Sequence, residues 1–141
     1  MSRMNIQKLT IFEARKMLDE GKITSGELSA ACYSQIDRFN PIFKAVITVI
    51  PNADKLNPNS GPLQGIPIGA KDIYETKGVR TTAGTTFFSD FVPDKNALVV
   101  SKLISQGAII NSKTNTHEIA LGVTGINPHY GTVPNPWDRL R

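Results

Sequence analysis

Cysteine is nearly missing from this 141-residue sequence: Cys32 stands alone. An intrachain disulfide is therefore excluded, nothing argues for an oxidising compartment, and the cytoplasm is the expected location. Long apolar runs are missing as well. No stretch approaches the ~18 apolar residues of a membrane span, and Met1 to Thr10 carries Arg3 and Lys8 without an apolar h-region. Secretion and membrane insertion are not expected. Basic runs are also absent, since the 16 Lys and Arg and 12 Asp and Glu behind the net charge of +4 are scattered. Arg80, Lys95, Lys102, Lys113, Arg139 and Arg141 give the second half a mild positive bias that a solvated surface explains, so nucleic acid is not the first choice of partner. The sequence has no internal repeat and no low-complexity tract.

A hydrophobic content of 40% with 20% charged residues is too apolar for general disorder. Thr10-Ile-Phe-Glu13 and Thr24-Ser-Gly-Glu27 each fit a capping box, so two helices are expected to start there. The first runs to about Glu20 and stops at Gly21. The second carries Leu28, Ala31, Cys32, Ile36 and Phe39 at helical spacing and is expected to end before Asn40-Pro41. Phe43 to Ile50, β-branched and bounded by prolines, reads as a mostly buried strand, and Pro51 to Pro62 as a surface loop. A further strand is expected around Ile66 to Ala70, then an irregular Thr- and Gly-rich stretch from Glu75 to Thr86. A helix over Asn96 to Ser105, closed by Gly107, leads into a buried strand over Ala108 to Asn111. From Thr114 onward glycines and prolines interrupt every run, and the chain reads as loop.

Familiar chemical motifs fail on inspection. Gly65-Ile-Pro-Ile-Gly-Ala-Lys71 lacks the Gly-Lys-Ser/Thr ending of a phosphate loop, and Pro67 removes an N–H. His117-Glu118 opens like a zinc-protease helix, but position 121 is Leu, and no metal or cofactor is expected. Lys71 has two readings. It is either a lysine reaching water from a strand end with Asp72 as surface partner, or a partly buried amine whose lowered pKa lets it act as a base toward a hydroxyl.

Gly61-Pro-Leu-Gln-Gly-Ile-Pro-Ile-Gly-Ala-Lys-Asp72 closely resembles the lysine motif of the amidase-signature family. Thr81-Thr-Ala-Gly84, the unit from Ala97 to Thr114, Asn115-Thr-His-Glu118, Gly122, Asn127, Tyr130-Gly131 and Asn135-Pro-Trp-Asp138 continue its pattern in order. The helical hairpin before residue 41 resembles the family's lead-in. The resemblance implies an α/β fold in which a helical lead-in over residues 1–40 precedes part of a mixed-sheet α/β/α core over residues 41–141. It implies that Lys71 is the lysine of a Ser, cis-Ser, Lys triad acting through a bridging serine on a nucleophilic serine, with an acyl-enzyme and a released amine to follow.

In that family an arginine, matched by Arg141, leads into the Gly- and Ser-rich loop that bears the bridging serine. These 141 residues include no such loop, and Ser89, Ser101, Ser105 and Ser112 lack the glycine-rich backbone of an oxyanion hole. The chain is accordingly expected to be the amino-terminal segment of an amidase acting on a small amide, inactive without its carboxy-terminal part or a second chain supplying it, and prone to self-association. A fragment of a glutamine-dependent tRNA amidotransferase A-type subunit is the second reading, and a non-catalytic binding module on the same scaffold the third. Asp72, Lys113 and Asn115 are candidate supports of the site, and the substrate-binding residues are unknown. Gly65, Gly84 and Gly131 are expected at positive φ or close approaches, and Trp137 is expected to pack.

Overall fold

A computed structural model describes residues 8–56 and 59–138. Arg141, the match to the family's arginine, lies outside the described residues, as do Arg3 and Arg139. Helix α1 spans Ile11–Asp19 and α2 Ser25–Phe43. Strand β1 is Val46–Val49, β2 Pro67–Lys71 and β3 Ile109–Thr114, with helix α3 over Leu98–Ser105. Single 3-10 turns lie at Ala53–Lys55, Thr86–Phe88 and Glu118–Ala120.

Both expected capping boxes form. Thr10 Oγ1 and Thr24 Oγ1 accept from the N–H of Glu13 and Glu27 at 3.1 Å, and each glutamate accepts from the threonine N–H at 2.8 Å. Two otherwise orphaned donors are thereby satisfied at each helix start.

Helix α2 runs past its expected end. Pro41 sits inside its last turn, where the missing N–H removes one bond, and the helix closes at Lys44 in a left-handed conformation (φ 48°). Asn40 compensates: its amide donates to Val46 O at 2.9 Å and accepts from Val46 N–H at 2.8 Å. The strand expected from Phe43 therefore begins only at Val46, and it is half-buried rather than mostly buried. Pro51 to Pro62 contains the Ala53–Lys55 turn, with Ala53 in the core.

The three strands form one mixed sheet in the order β1-β3-β2. β3 is central, antiparallel to β1 and parallel to β2, with Ala70 opposite Lys113 and Lys71 opposite Thr114. One apolar cluster joins Ile50, Ala53, Ala70, Val100, Ile109 and Ile110. A second joins Ala14, Ile23, Leu28 and Ile66 beneath α1 and α2, and Ile68 touches both. The α/β class and the helix-to-strand unit are thus as expected.

β3 nevertheless extends three residues beyond its expected end, through Ser112, Lys113 and Thr114. Polarity is no barrier there because each buried group has a partner: Ser112 Oγ donates to Asn111 Oδ1 at 3.0 Å, and Lys113 meets a carboxylate described below.

The Asn40 clasp should be measurable. Asn40→Ala is expected to lower unfolding free energy in urea titration by about 1–3 kcal/mol, the loss of two side-chain bonds to a partly covered backbone.

Candidate active site

Lys71 is the last residue of β2, at the carboxyl end of the parallel pair, and its side chain is exposed. Of its two readings, the lysine reaching water from a strand end matches this exposure, and the partial burial that the base reading supposed is absent. Its ammonium has no hydrogen bond or ion pair among the described residues.

Asp72, read as a possible surface partner of Lys71, is instead fully buried. Period-two alternation explains the split: Ala70 and Asp72 turn inward, Gly69 and Lys71 outward. The ladder continues through this point, Asp72 N–H donating to Thr114 O at 2.9 Å. Asp72 Oδ2 accepts from Thr82 N–H at 2.9 Å and from Thr82 Oγ1 at 2.5 Å. Its other oxygen, Oδ1, makes no hydrogen bond and lies 3.4 Å from Lys113 Nζ.

Lys113 is the partner of Asp72, and both side chains are 0% exposed. Its ammonium donates to Tyr74 O and to Thr81 Oγ1, each at 2.7 Å. Asp72 Oδ1 stands beside these two bonds as an ion-pair partner at 3.4 Å rather than as a third acceptor. Burial pulls the Lys113 pKa below its ordinary value, while the Asp72 carboxylate opposes that shift by favouring the cation. An ammonium and a carboxylate thus fix the loop that follows Lys71. Thr81 and Thr82 clamp that loop; residue by residue the sequence assigned them no role, although both lie within the Thr81–Gly84 landmark.

Asn115 stands at the end of β3 but serves a different junction. Its Nδ2 donates to Lys44 O and Gly131 O, both at 2.8 Å, and its Oδ1 accepts from Thr116 N–H at 2.8 Å. It holds the α2–β1 connection and the loop around Gly131. Asn127, 2% exposed, plays the corresponding part nearer Gly84: it donates to Gly84 O and Thr116 O and accepts from the N–H groups of His129 and Tyr130. That role escaped the sequence reading because all four partners are backbone groups.

Gly65, Gly84 and Gly131 have φ of 79°, 69° and 88°, as expected of their type. At Gly84 a Cβ would also stand 2.7 Å from Asn127 Nδ2, so any side chain would collide with the loop clasp. Trp137, expected to pack, is 94% exposed. Glu118 Oε1 lies 3.0 Å from His129 Nε2, and its carboxyl is held below the usual range by the Thr85 hydroxyl and by His129. His117 and Glu118 belong to no cluster of three or more metal-binding side chains among the described residues. None of the helices among the described residues is long and apolar enough to cross a membrane.

This arrangement has recognisable relatives. The sequence model of the family described as Amidase matches residues 27–141. The A-type subunit of the glutamyl-tRNA(Gln) amidotransferase of Dehalococcoides mccartyi is 40% identical over 144 residues, an alignment that takes in 95% of this chain and 30% of the relative. Among solved structures, the A-type subunit of the same amidotransferase from Thermotoga maritima superposes with a TM-score of 0.82 at 29% identity, over 98% of this chain and 29% of that one. The native peptide amidase of Stenotrophomonas maltophilia gives 0.83 at 26% identity, over 96% and 31%. The chain thus spans only about 30% of the length of the relatives it matches, their amino-terminal portion.

The buried pair yields a direct test. Lys113→Met leaves the Asp72 carboxylate buried without its cation and is expected to destabilise the chain by about 3–5 kcal/mol in chemical denaturation. Adding Asp72→Asn should recover most of that loss, because the charges then vanish together.

Proposed function

Because this chain belongs to the amidase family, we propose that it contributes the lysine of an amide-hydrolysing site, with Lys71 as the base and Asp72, Lys113 and Asn115 as its supports. One observation carries the proposal: Lys71 projects unpartnered from the carboxyl end of β2, while the residue beside it is locked beneath the sheet by a buried ion pair. An amine held this way is free to face a second group. In the proposed chemistry it takes a proton from a bridging serine, which in turn deprotonates a nucleophilic serine. The serine attacks the amide carbonyl, the amine or ammonia leaves with a proton, and water then releases the acid from the acyl-enzyme. Both serines would come from the part of the fold that the relatives carry beyond the matched 30%, in the same polypeptide or a second one. We place the reaction in the cytoplasm and assign the substrate only as a carboxylic amide. We read the described residues as a helical lead-in followed by part of a single core.

A tRNA-amidotransferase reading is favoured by the 40% identity to an amidotransferase subunit of the A type. In that case the amide is glutamine, and the acceptor of its ammonia is a charged tRNA held with partner subunits. The two readings share the Lys71 chemistry. Ammonia release from glutamine that depends on partner subunits and charged tRNA distinguishes the second.

On its own the chain is expected to show no turnover of simple aryl or aliphatic amides. Joined to the carboxy-terminal part of an amidase relative it should hydrolyse them, and Lys71→Ala should then lower kcat by roughly 10²–10⁴-fold with little change in melting temperature. Near-unchanged hydrolysis in that variant contradicts the assignment.

The surface supports the need for a partner. Phe12, Phe87, Leu121, Val123 and Trp137 are each more than three-quarters exposed, and apolar side chains left open to water favour association where they gather into a patch. The isolated chain is expected to self-associate in sedimentation and to bind a hydrophobic dye. A cooperative, dye-negative monomer would favour the non-catalytic module instead.

A further inference from the structure

We propose that Thr114 is a positioning residue for Lys71: the methyl group it lays over Gly69 closes the space behind the lysine stem and directs the amine past the end of β2. This rests on the reading of Lys71 as the base, and it adds what holds that base in place.

The placement begins with an irregularity in the ladder. Ile68 of β2 is opposite Ile110, but Gly69 is opposite Ser112, so Asn111 is an extra residue on β3. Such a bulge turns the later side chains of its strand to the other face relative to their partners. Had the ladder run on without it, Asn111 would stand opposite Gly69 and Lys113 opposite Lys71. Two ammonium groups would then share one face, and Asp72 would be buried without a cation. With the bulge, Lys113 stands opposite Ala70, on the face of Asp72, and Lys71 receives Thr114 instead.

The row continues across the sheet, since Val46 of β1 is opposite Thr114 and Val49 is opposite Ser112. Thr114 therefore has a branched neighbour behind it and Lys71 in front, each one strand away at about 4.7–4.9 Å. Val46 is fixed, because Asn40 bonds both its N–H and its C=O. From this row Thr114 leans onto Gly69: a Cβ on that glycine would lie 2.8 Å from Thr114 Cγ2 and 3.2 Å from Ser112 Oγ. Ser112 is buried, and its hydroxyl is tied to Asn111 Oδ1.

Two side chains of β3 thus fill the volume that a side chain at position 69 would use. Lys71 shares that face, because strand side chains alternate. Folding back along β2, its stem would meet the Thr114 methyl, so its room lies away from it, in keeping with its exposure. A lysine open on every side populates several staggered rotamers, and a wall removes the wells that point into it. An amine restricted in this way meets a bridging hydroxyl more often in a reactive orientation.

The role is one of shape rather than of hydrogen bonding, and two small substitutions separate these. Thr114→Val keeps the methyl wall without the hydroxyl, and Thr114→Ser keeps the hydroxyl without the wall. NMR coupling constants of the Lys71 side chain in the 141-residue chain are expected to show one dominant χ1 rotamer in the wild type and in Thr114→Val, and averaging in Thr114→Ser. Averaging in the wild type, or no difference between the variants, overturns the proposal. In the chain joined to the carboxy-terminal part of an amidase relative, Thr114→Ser should lower kcat by about tenfold and leave KM within about twofold, while Thr114→Val stays near wild type. That loss should vanish when Lys71→Ala is already present. Thr114→Val as slow as Thr114→Ser, or a loss that persists beside Lys71→Ala, also overturns the proposal. Hydrolysis that is absent, or indifferent to Lys71→Ala, defeats the base reading instead, and the rotamer comparison then decides alone whether Thr114 directs the lysine.

Discussion

The buried contact between Asp72 and Lys113 is the constraint on which the rest of this chain's architecture turns. A carboxylate and an ammonium that are both removed from water must meet each other or lose several kcal/mol of solvation. Here they meet across the junction of β2 and β3. The meeting lets β3 carry a lysine into the interior, pins the start of the 72–84 loop through Thr82, and ties Tyr74 and Thr81 to the strand end. It also decides what Lys71 can do. With Asp72 drawn inward, strand alternation sends the preceding side chain to the opposite side.

A second layer of clasps works in the same way on longer connections. Asn40, Asn115 and Asn127 each use a side-chain amide to hold backbone that no helix or strand satisfies. Asn115 and Asn127 bridge segments distant in sequence, Asn40 closes a local turn, and together they fix the connections around the carboxyl end of β3. Ordered loops at that end of a parallel pair are where α/β proteins assemble binding sites.

Much of this was legible in the sequence, for local reasons. Both capping boxes depend on residues three apart, and the helix-to-strand unit depends on apolar periodicity closed by Gly107. The lysine motif and its landmarks named the family. What stayed hidden depends on long-range partners. Nothing near Lys113 shows that its charge is matched by Asp72, so β3 seemed to end at Asn111. Nothing before Pro41 shows that Asn40 will stabilise the turn containing it. Trp137 looked like a packing residue by type, yet among the described residues it stays almost wholly exposed. The exposure of Lys71 follows from the burial of Asp72, and so was out of reach for the same reason.

The same physics separates what this chain supplies from what it needs. It supplies a strand end, an outward amine and a rigid polar foundation under that amine. All of this depends on Lys113 being a charged ammonium held beside Asp72. The most direct measurement is nitrogen-detected NMR of the Lys113 ε-amino group at neutral pH. A slowly exchanging NH₃⁺ signal that disappears in Asp72→Asn is the expected result. A neutral amine, or an ammonium exchanging as fast as those of surface lysines, would contradict it.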